Sequence, residues 1–335
     1  MASASEGHEQ IQRALDAIDR DDVDAARDAL DRAAASLGET DPRVLHGRGI
    51  YAWAEGDIEE AARMLLEAAD AGPEESRIYL DCAELLLDTG LDFDAAESTL
   101  HALLQREALD EETRWDAQLM LAQSRLEHPQ ADPEEALELL DAVPEARREA
   151  DWRSLRAATY LDLGRASEAV QLLEASAADP AVEVDPDLQY QLGICYAAAG
   201  VADKAVAAMV RVVELDAEQD DYDEIDADER MGLRAALEEV LEDLPDALLK
   251  RVAPLPIEVQ TRATAEQIGR GVDPRAFLAI DGDVETAEAR AFVIMRNVLL
   301  DEVDHEEMLP EALFSSLTDE FRRFFGLEEL ATASA

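Results

Sequence analysis

The sequence predicts a mainly α-helical protein, in which an α-solenoid of helical hairpins is followed by a small α+β domain. Small residues recur at a constant offset in the first two thirds of the chain, and the apolar residues between them follow helical spacing. The last third contains short alternating or β-prone segments instead. We expect the repeats at 8–220, a linker at 221–230 and the α+β domain at 231–330.

The composition limits the classes of partner. The chain has 335 residues, with 79 acidic and 29 basic side chains and a formal net charge of -50. Such a charge repels nucleic acid and anionic membrane surfaces, so we expect neither as a partner. Because the acidic residues are spread along every segment, we interpret them as a solvated coat suited to a salty habitat. A surface for a basic partner protein is the alternative.

The sequence also indicates a soluble, cytoplasmic protein. Its two cysteines, Cys82 and Cys195, lie in apolar helical patterns and do not suggest a disulfide scaffold. Residues 1–10 contain neither the basic region nor the apolar core of a signal peptide. The longest apolar runs are too short to span a bilayer.

A sequence repeat organises the first two thirds of the chain. Three small residues recur 144 positions later in the chain. They are Gly49, Gly56 and Ala61, which correspond to Gly193, Gly200 and Ala205. That offset is close to four units of about 36 residues, near the period of about 34 residues that is typical of helical hairpin repeats. Copies of the pattern lie at 11–35, 42–73, 77–104, 115–143, 157–173 and 186–217. Small residues at these positions let two antiparallel helices approach closely.

The last copy carries the most specific pattern. Its segment Leu192-Gly193-Ile194-Cys195-Tyr196 has an L-G-x-x-Y core and is followed by Gly200, Ala205 and Met209. These residues resemble the tetratricopeptide repeat family, over roughly residues 8–220 and about five or six helix pairs. The resemblance implies a solenoid whose extended concave surface holds a peptide or protein segment. A stack of other helical hairpins would have the same architecture.

The first helices of the repeats offer aromatic side chains that could anchor a bound segment. Some members of the family hold a carboxylate with Lys and Asn on these helices, but Lys204 and Lys250, the chain's two lysines, lie elsewhere. The candidate anchors are Trp53, Tyr79, Trp115, Trp152 and Tyr190. Packing between helices is the alternative role for the same rings.

The last third is predicted to mix helices and strands. The carboxylate-rich run after Leu215 lacks the glycine-centred spacing of a calcium loop, and we interpret it as an acidic linker. Beyond it, the pattern predicts a helix at 231–241, a short helix through Leu249, and a final helix at 310–325. Strands are predicted at 256–260, 277–280 and 291–295.

The order of these elements resembles another family. The matching segments are Leu244-Pro245, Ile257-Glu258-Val259, Gly271-Val272-Asp273-Pro274, Phe277 to Gly282, Val293 to Asn297 and Phe325-Gly326-Leu327. They look like the small bacterial zincin-like metallopeptidases, over roughly residues 240–330. In that family the last helix carries H-E-x-x-H, whose histidines bind zinc and whose Glu is the base. By register, Asp319 and Arg323 stand at the histidine positions, and Glu320 keeps the position of the base.

We therefore expect a pseudoenzyme domain without catalytic residues, metal or cofactor. A guanidinium has no lone pair to donate to a metal, and we expect Glu320 to pair with Arg322 or Arg323. His305 is interpreted as a solvated residue. The predicted function is a scaffold that binds a protein or peptide segment, including a basic one, with the terminal domain as a cap or second docking surface.

Two alternatives stay open. One is an atypical metal-dependent hydrolase that uses Asp319, Glu320 and nearby carboxylates such as Glu328 or Glu329. The other is a self-associating acidic scaffold, whose assembly the charge of -50 would oppose at low salt.

Overall fold

The structure is a computed structural model, and it describes residues 2–176, 184–219, 222, 224–242, 244, 246–284, 286–303 and 308–326. Packing divides the chain into unit 1, Met1–Gly164, and unit 2, Arg165–Ala335. The boundaries predicted from sequence, 8–220, 221–230 and 231–330, stay predictions. Within the described ranges, no helix has the length and apolar character needed to cross a membrane.

Unit 1 is a row of helical hairpins. Its helices are α1 (Ala2–Ile18), α2 (Val23–Leu37), α3 (Pro42–Ala54), α4 (Ile58–Asp70), α5 (Ser76–Asp88), α6 (Phe93–Leu104), α7 (Glu111–Glu127), α8 (Pro133–Asp141) and α9 (Ala150–Asp162). Each odd-numbered helix up to α7 packs against the helix that follows it, and the odd-numbered helices α1 to α9 also contact one another in sequence. This arrangement confirms the predicted hairpin stack.

Aspartates begin the second helix of each of these hairpins. The N-cap side chains of Asp22, Asp57, Asp92 and Asp132 each accept a hydrogen bond from a backbone N–H three residues further on. Such caps stabilise a helix by about 1 kcal/mol because they satisfy an otherwise unpaired donor. In the turn before Asp57, Gly56 has a φ of 79°, a left-handed conformation that favours glycine.

The repeated small residues lie where two helices of a hairpin approach each other. A Cβ added at Gly49 would lie 2.7 Å from Leu65 Cγ, and one added at Gly193 would lie 2.8 Å from Met209 Cε. The partner follows the glycine by the same number of residues in both cases. The repeat seen in the sequence is therefore a repeat of helix packing.

Unit 2 contains the last hairpin and a small three-stranded sheet. Its elements are α10 (Ala166–Ser176), α11 (Pro186–Ala198), α12 (Ala202–Gln219), α13 (Ala227–Glu242), α14 (Asp246–Val252), β1 (Ile257–Gln260), α15 (Ala265–Gly269), β2 (Leu278–Asp283), β3 (Glu288–Met295), α16 (Arg296–Glu302) and α17 (Leu309–Phe325). Together with unit 1, these elements confirm a mainly helical fold with a small C-terminal sheet.

The sheet has the strand order β1-β3-β2, so β3 is central. Strand β1 is parallel to β3, and β2 is antiparallel to it. The apolar run from Ala291 to Met295 is buried, as expected for a central strand covered on both faces. Helix α17 packs on β2, and its Phe321 also meets Phe292 of β3, with the ring centroids 6.5 Å apart.

Two short helices are missing from the sequence prediction. Helix α15 has five residues and depends on a capping box between Thr264 and Gln267. Helix α16 follows β3 directly and has only seven residues, too few to show a clear helical period. Part of the predicted acidic linker is also helical, because α12 extends to Gln219 and α13 begins at Ala227. Its residues Asp220, Asp221 and Asp223 lie outside the described residues.

Candidate functional site

Helix α5 presents one polar face to solvent in the middle of unit 1. It packs against α6 within its hairpin and contacts α3 and α7 on either side. Arg77, Glu84 and Asp88 are exposed and Leu80 is half-buried, while the residues between them are mostly buried. These four positions are three or four residues apart, so they lie on a single face of the helix.

The two carboxylates of this face are in an unfavourable electrostatic environment. Burial by surrounding protein raises the pKa of Glu84, and the neighbouring charges of Asp81 and Asp88 raise it further. Burial also raises the pKa of Asp88. Both side chains remain exposed to solvent, so a charged group of a partner could reach them.

Asp116 on α7 extends this acidic surface. Its pKa is raised by burial and by the charge of Glu112, and Arg147 and Arg77 partly offset the shift. Arg77 also lowers the pKa of Glu84, so this one cation acts on a carboxylate of each helix. We call Glu84, Asp88 and Asp116 the acidic face.

The nearby arginine is already committed to a buried carboxylate. Arg77 forms an ion pair with Asp81, whose Oδ2 lies 2.7 Å from His46 Nε2 on α3. Asp81 and His46 are both buried. Arg77 is thus paired with Asp81 within the protein, and its charge only partly offsets the raised pKa values of Glu84 and Asp116.

The aromatic anchors predicted in unit 1 divide into two groups. Trp53 is half-buried against the core around α5, and Trp115 is half-buried on α7. Tyr79 is buried beneath Arg106, whose guanidinium carbon lies 5.4 Å from the ring centroid. Trp152 is buried and donates from Nε1 to the Leu140 carbonyl oxygen at 2.9 Å. Trp53 and Trp115 therefore keep surface that a partner could contact, whereas Tyr79 and Trp152 pack inside.

The fifth predicted anchor, Tyr190, lies in unit 2. Its hydroxyl donates to Asp273 Oδ2 at 2.7 Å, and the guanidinium carbon of Arg275 lies 4.9 Å from its ring centroid. Burial and the Asp273 charge raise the pKa of the phenol. These contacts hold the ring against the loop that precedes β2, so Tyr190 is a half-buried link between α11 and that loop.

In unit 2, Glu320 binds to the edge strand of the sheet. Its carboxylate is 7% exposed and accepts a hydrogen bond at 2.6 Å from the backbone N–H of Ile280 on β2. It also accepts two bonds from Arg323, at 2.7 Å from Nε and 2.6 Å from Nη2. The pairing of Glu320 with Arg323 is the one that helical spacing suggests.

Arg323 completes the attachment to the sheet. Its Nη2 donates to the Ile280 carbonyl oxygen at 3.2 Å, and its Nη1 donates to the Gly271 carbonyl oxygen at 3.1 Å. Asp319 pairs with Arg322 at the surface, at 2.6 Å. An edge strand exposes unpaired backbone groups, and here two side chains of α17 bind both polar groups of Ile280.

The described residues offer no metal site at this position. No group of three or more His, Cys, Asp or Glu side chains within them is arranged to hold an ion. His305, Leu327, Glu328 and Glu329, which the sequence analysis considered, lie outside the described residues. Arg323 fills the space beside Glu320, where its two hydrogen bonds occupy both carboxylate oxygens.

Sequence reasoning did not single out the acidic face. Acidic residues occur throughout the chain, so three more carboxylates give no distinct signal. The spacing of Arg77, Leu80, Glu84 and Asp88 in an otherwise apolar helix could have revealed the face of α5. The proximity of Asp116 depends on how α5 and α7 pack, which the spacing alone does not give.

A tetratricopeptide repeat family model matches residues 52–115, from the last turn of α3 to the first turns of α7. The match includes Trp53, Glu84, Asp88 and Trp115 and ends one residue before Asp116. The comparison with curated proteins returned no match.

Several solved structures are similar at low sequence identity. A tetratricopeptide repeat protein from Parabacteroides merdae is 17% identical and has a TM-score of 0.49, with 74% of this chain and 97% of that chain covered. The apo quorum sensor NprR from B. thuringiensis is 19% identical and has a TM-score of 0.45, with 68% of this chain and 73% of that chain covered. A thermophilic TPR protein of Thermus thermophilus is 20% identical and has a TM-score of 0.42, with 52% of this chain and 91% of that chain covered. All three TM-scores are below 0.5, so these similarities indicate no function for this chain.

Proposed function

We propose that this protein is a non-catalytic, cytoplasmic interaction protein whose helical repeats bind a basic segment of a partner protein. The observation that carries the proposal is the acidic face, where Glu84, Asp88 and Asp116 are exposed to solvent and burial by the surrounding protein raises the pKa of each carboxylate. It lies in and beside the segment that matches the tetratricopeptide repeat model.

Electrostatics favours a cationic partner at this surface. A Lys or Arg side chain placed beside these carboxylates gains their attraction, and near Glu84 it also offsets the repulsion from Asp88. The acidic side chains are exposed, so the partner needs no rearrangement of the helices to reach them. The half-buried rings of Trp53 and Trp115 offer apolar surface for the same segment.

We further propose that the terminal part of unit 2 is a pseudoenzyme domain related to the zincin-like peptidases. Two contacts support a structural role for its last helix: Glu320 accepts from the Ile280 amide, and Arg323 binds both Glu320 and the Ile280 carbonyl. A catalytic base needs a carboxylate that is free to take a proton from water. The carboxylate of Glu320 instead attaches α17 to β2.

Fluorescence anisotropy with the full chain tests the binding proposal. The probe is a short labelled peptide of alternating Arg and Ala. Combined Glu84→Gln, Asp88→Asn and Asp116→Asn should weaken its binding about tenfold or more, since three close charge pairs are lost.

A charge-matched control separates the acidic face from the bulk charge of -50. Glu59→Gln, Glu134→Gln and Glu138→Gln remove three exposed carboxylates from the second helices α4 and α8. This triple variant should change the affinity less than about twofold, because distant exposed charges are screened. Equal weakening by both triple variants would refute a specific site.

Elemental analysis and a peptidase assay test the pseudoenzyme proposal. We expect purified protein to contain no stoichiometric zinc and to cleave no peptide. Zinc that is lost in Glu320→Ala, together with peptidase activity, would instead establish the hydrolase that the sequence left open.

A further inference from the structure

A second surface with the features of a docking site lies in unit 2. A groove of about 650 Å³ runs between α13, α16 and the start of α17. We call it the α13–α16 groove. Its lining residues are mainly apolar, and they include Leu233, Ala236, Leu299, Val303 and Leu309.

Three large apolar side chains are exposed on the elements that form this groove. Met231 on α13 is 61% exposed, Leu300 on α16 is 42% exposed, and Met308 just before α17 is 55% exposed. Leu300 also lines the groove. An exposed apolar side chain such as Leu300 in an apolar groove is typical of interaction sites in soluble proteins.

Small residues on α13 leave one wall of the groove open. Gly232 lines it from α13, and a Cβ added there would meet no atom within 4 Å. Ala236 lines the same wall one turn later. A partner can therefore bring its own side chains close to the backbone of α13.

The rim of the groove is acidic. Asp228 and Glu229 line its edge, and Asp228 is exposed. Arg230 donates to the Val259 carbonyl oxygen at 2.8 Å, and Arg296 pairs with Glu229 at 3.1 Å, so Arg296 compensates Glu229 and the exposed Asp228 gives the rim its negative charge. An apolar floor with an acidic rim complements a segment that carries apolar anchors between basic residues.

We propose that the α13–α16 groove binds an amphipathic helix of a partner protein, with apolar anchors on one face and Lys or Arg beside them. Helix-in-groove recognition reads apolar residues at positions i, i+3, i+4 and i+7. A second copy of this chain is disfavoured as the occupant, because each copy carries a charge of -50.

The groove lies in unit 2 and the acidic face in unit 1, so the two binding proposals can fail separately. The probe for the groove is a labelled Leu-Lys peptide with Leu at i, i+3, i+4 and i+7. Its control is a scrambled peptide of the same composition, which has the same charge but no apolar face. Both are titrated into the full chain by fluorescence anisotropy.

Two variants of α13 make the test specific. Gly232→Phe fills the open space of the groove and should remain folded, since nothing lies within 4 Å of the new Cβ. Arg234→Phe adds the same ring two residues away, on roughly the opposite side of the helix. Circular dichroism checks that both variants are folded.

Wild type and Arg234→Phe should bind the amphipathic peptide about tenfold or more tightly than the scrambled one, whereas Gly232→Phe should bind both equally. The methyl NMR signals of Leu300, which lines the groove, should shift with the amphipathic peptide. Equal affinity of wild type for both peptides would overturn the proposal, as would undiminished selectivity in Gly232→Phe.

Should Gly232→Phe misfold, Leu300→Gln provides the same test at an exposed position of the groove, with a partial loss of selectivity expected. Concentration-dependent dimerisation of the wild type that Gly232→Phe abolishes would identify a second copy as the occupant and also overturn the proposal.

Discussion

Glu84 in unit 1 and Glu320 in unit 2 are both helical glutamates, but the protein uses their charges differently. Glu320 is buried, and its two oxygens accept bonds from Arg323 and from the Ile280 amide. Glu84 is exposed, and burial by its surroundings and the charges of two aspartates raise its pKa. The charge of Glu320 is satisfied inside the fold, whereas that of Glu84 remains available to a partner.

This difference shows why a sequence motif is a poor guide to the functional carboxylate. The sequence motif led us to expect Glu320 at the position of a catalytic base, whereas its contacts with Ile280 and Arg323 fit a structural role. Glu84 belongs to no motif, and its contacts make it the better candidate for binding. A carboxylate whose hydrogen-bond donors and cations lie within the chain has a structural role. A carboxylate that lacks such groups is available for binding.

The largest expected effect tests the structural role of Glu320. Arg323→Ala should lower the free energy of unfolding by about 2–3 kcal/mol, since it leaves a buried carboxylate without its cation and Arg323 is only partly exposed. Arg322→Ala is the matched control, because its pair with Asp319 is exposed and is worth at most about 0.5 kcal/mol.

Urea unfolding locates this effect in one unit. The chain's three tryptophans, Trp53, Trp115 and Trp152, all lie in unit 1, so their fluorescence follows unit 1, while circular dichroism follows both units. Arg323→Ala should shift the circular dichroism transition and leave the fluorescence transition in place. An unchanged stability would mean that Glu320 does not depend on Arg323, and the contrast with Glu84 would fail.

The two units can next be compared at one equivalent packing position. Gly49→Ala should destabilise unit 1 by about 1–3 kcal/mol, because the new Cβ would lie 2.7 Å from the branched Leu65 Cγ. Gly193→Ala should cost less than about 1 kcal/mol, since the flexible Met209 can move aside. Tryptophan fluorescence should detect the first change and circular dichroism the second. Equal costs would show that the two hairpins pack alike despite their different partners.

The smallest expected effect is a gain in stability when Glu84 loses its charge, whereas a loss of stability is expected at Glu320. A raised pKa means that the folded state holds the proton of Glu84 more tightly than the unfolded chain does. The resulting stability is fully present below the ordinary pKa of about 4.3 and is lost as the pH rises through the raised value. Glu84→Gln should therefore stabilise unit 1 at neutral pH by a few tenths of a kcal/mol, given the exposure of the side chain.

Urea unfolding followed by tryptophan fluorescence measures this gain. It should disappear below about pH 4, where Glu84 is protonated in both states. Glu320→Gln should destabilise unit 2 at neutral pH. Destabilisation by Glu84→Gln at neutral pH would mean that this carboxylate has a partner within the fold.

Much of the fold could be predicted from the sequence, because its causes are local. The spacing from Gly49 to Ala61 sets a close helix pair, and the apolar run from Ala291 to Met295 sets a central strand. Helix α16 escaped prediction because its seven residues directly after a strand show no clear helical period. The pairing of Glu320 with Arg323 follows from helical spacing, but its bond to Ile280 joins residues 40 positions apart.

The candidate sites were harder to predict for a similar reason. Glu84 and Asp116 lie on α5 and α7, which contact each other, and the sequence surrounds both residues with many other acidic residues. The α13–α16 groove depends on the contact of three separate helices. Neither arrangement has a spacing that the sequence would reveal.

The central claim is that Glu84, Asp88 and Asp116 are available to a cationic partner. Calorimetric titration of the full chain with the Arg-Ala peptide, at about pH 5 in buffers of different ionisation enthalpy, measures the protons exchanged on binding. Because a bound cation lowers the raised pKa of each carboxylate, the account predicts proton release by the wild type and little or none by the Glu84→Gln, Asp88→Asn, Asp116→Asn variant. Binding without proton release, or equal release from that variant, would contradict it.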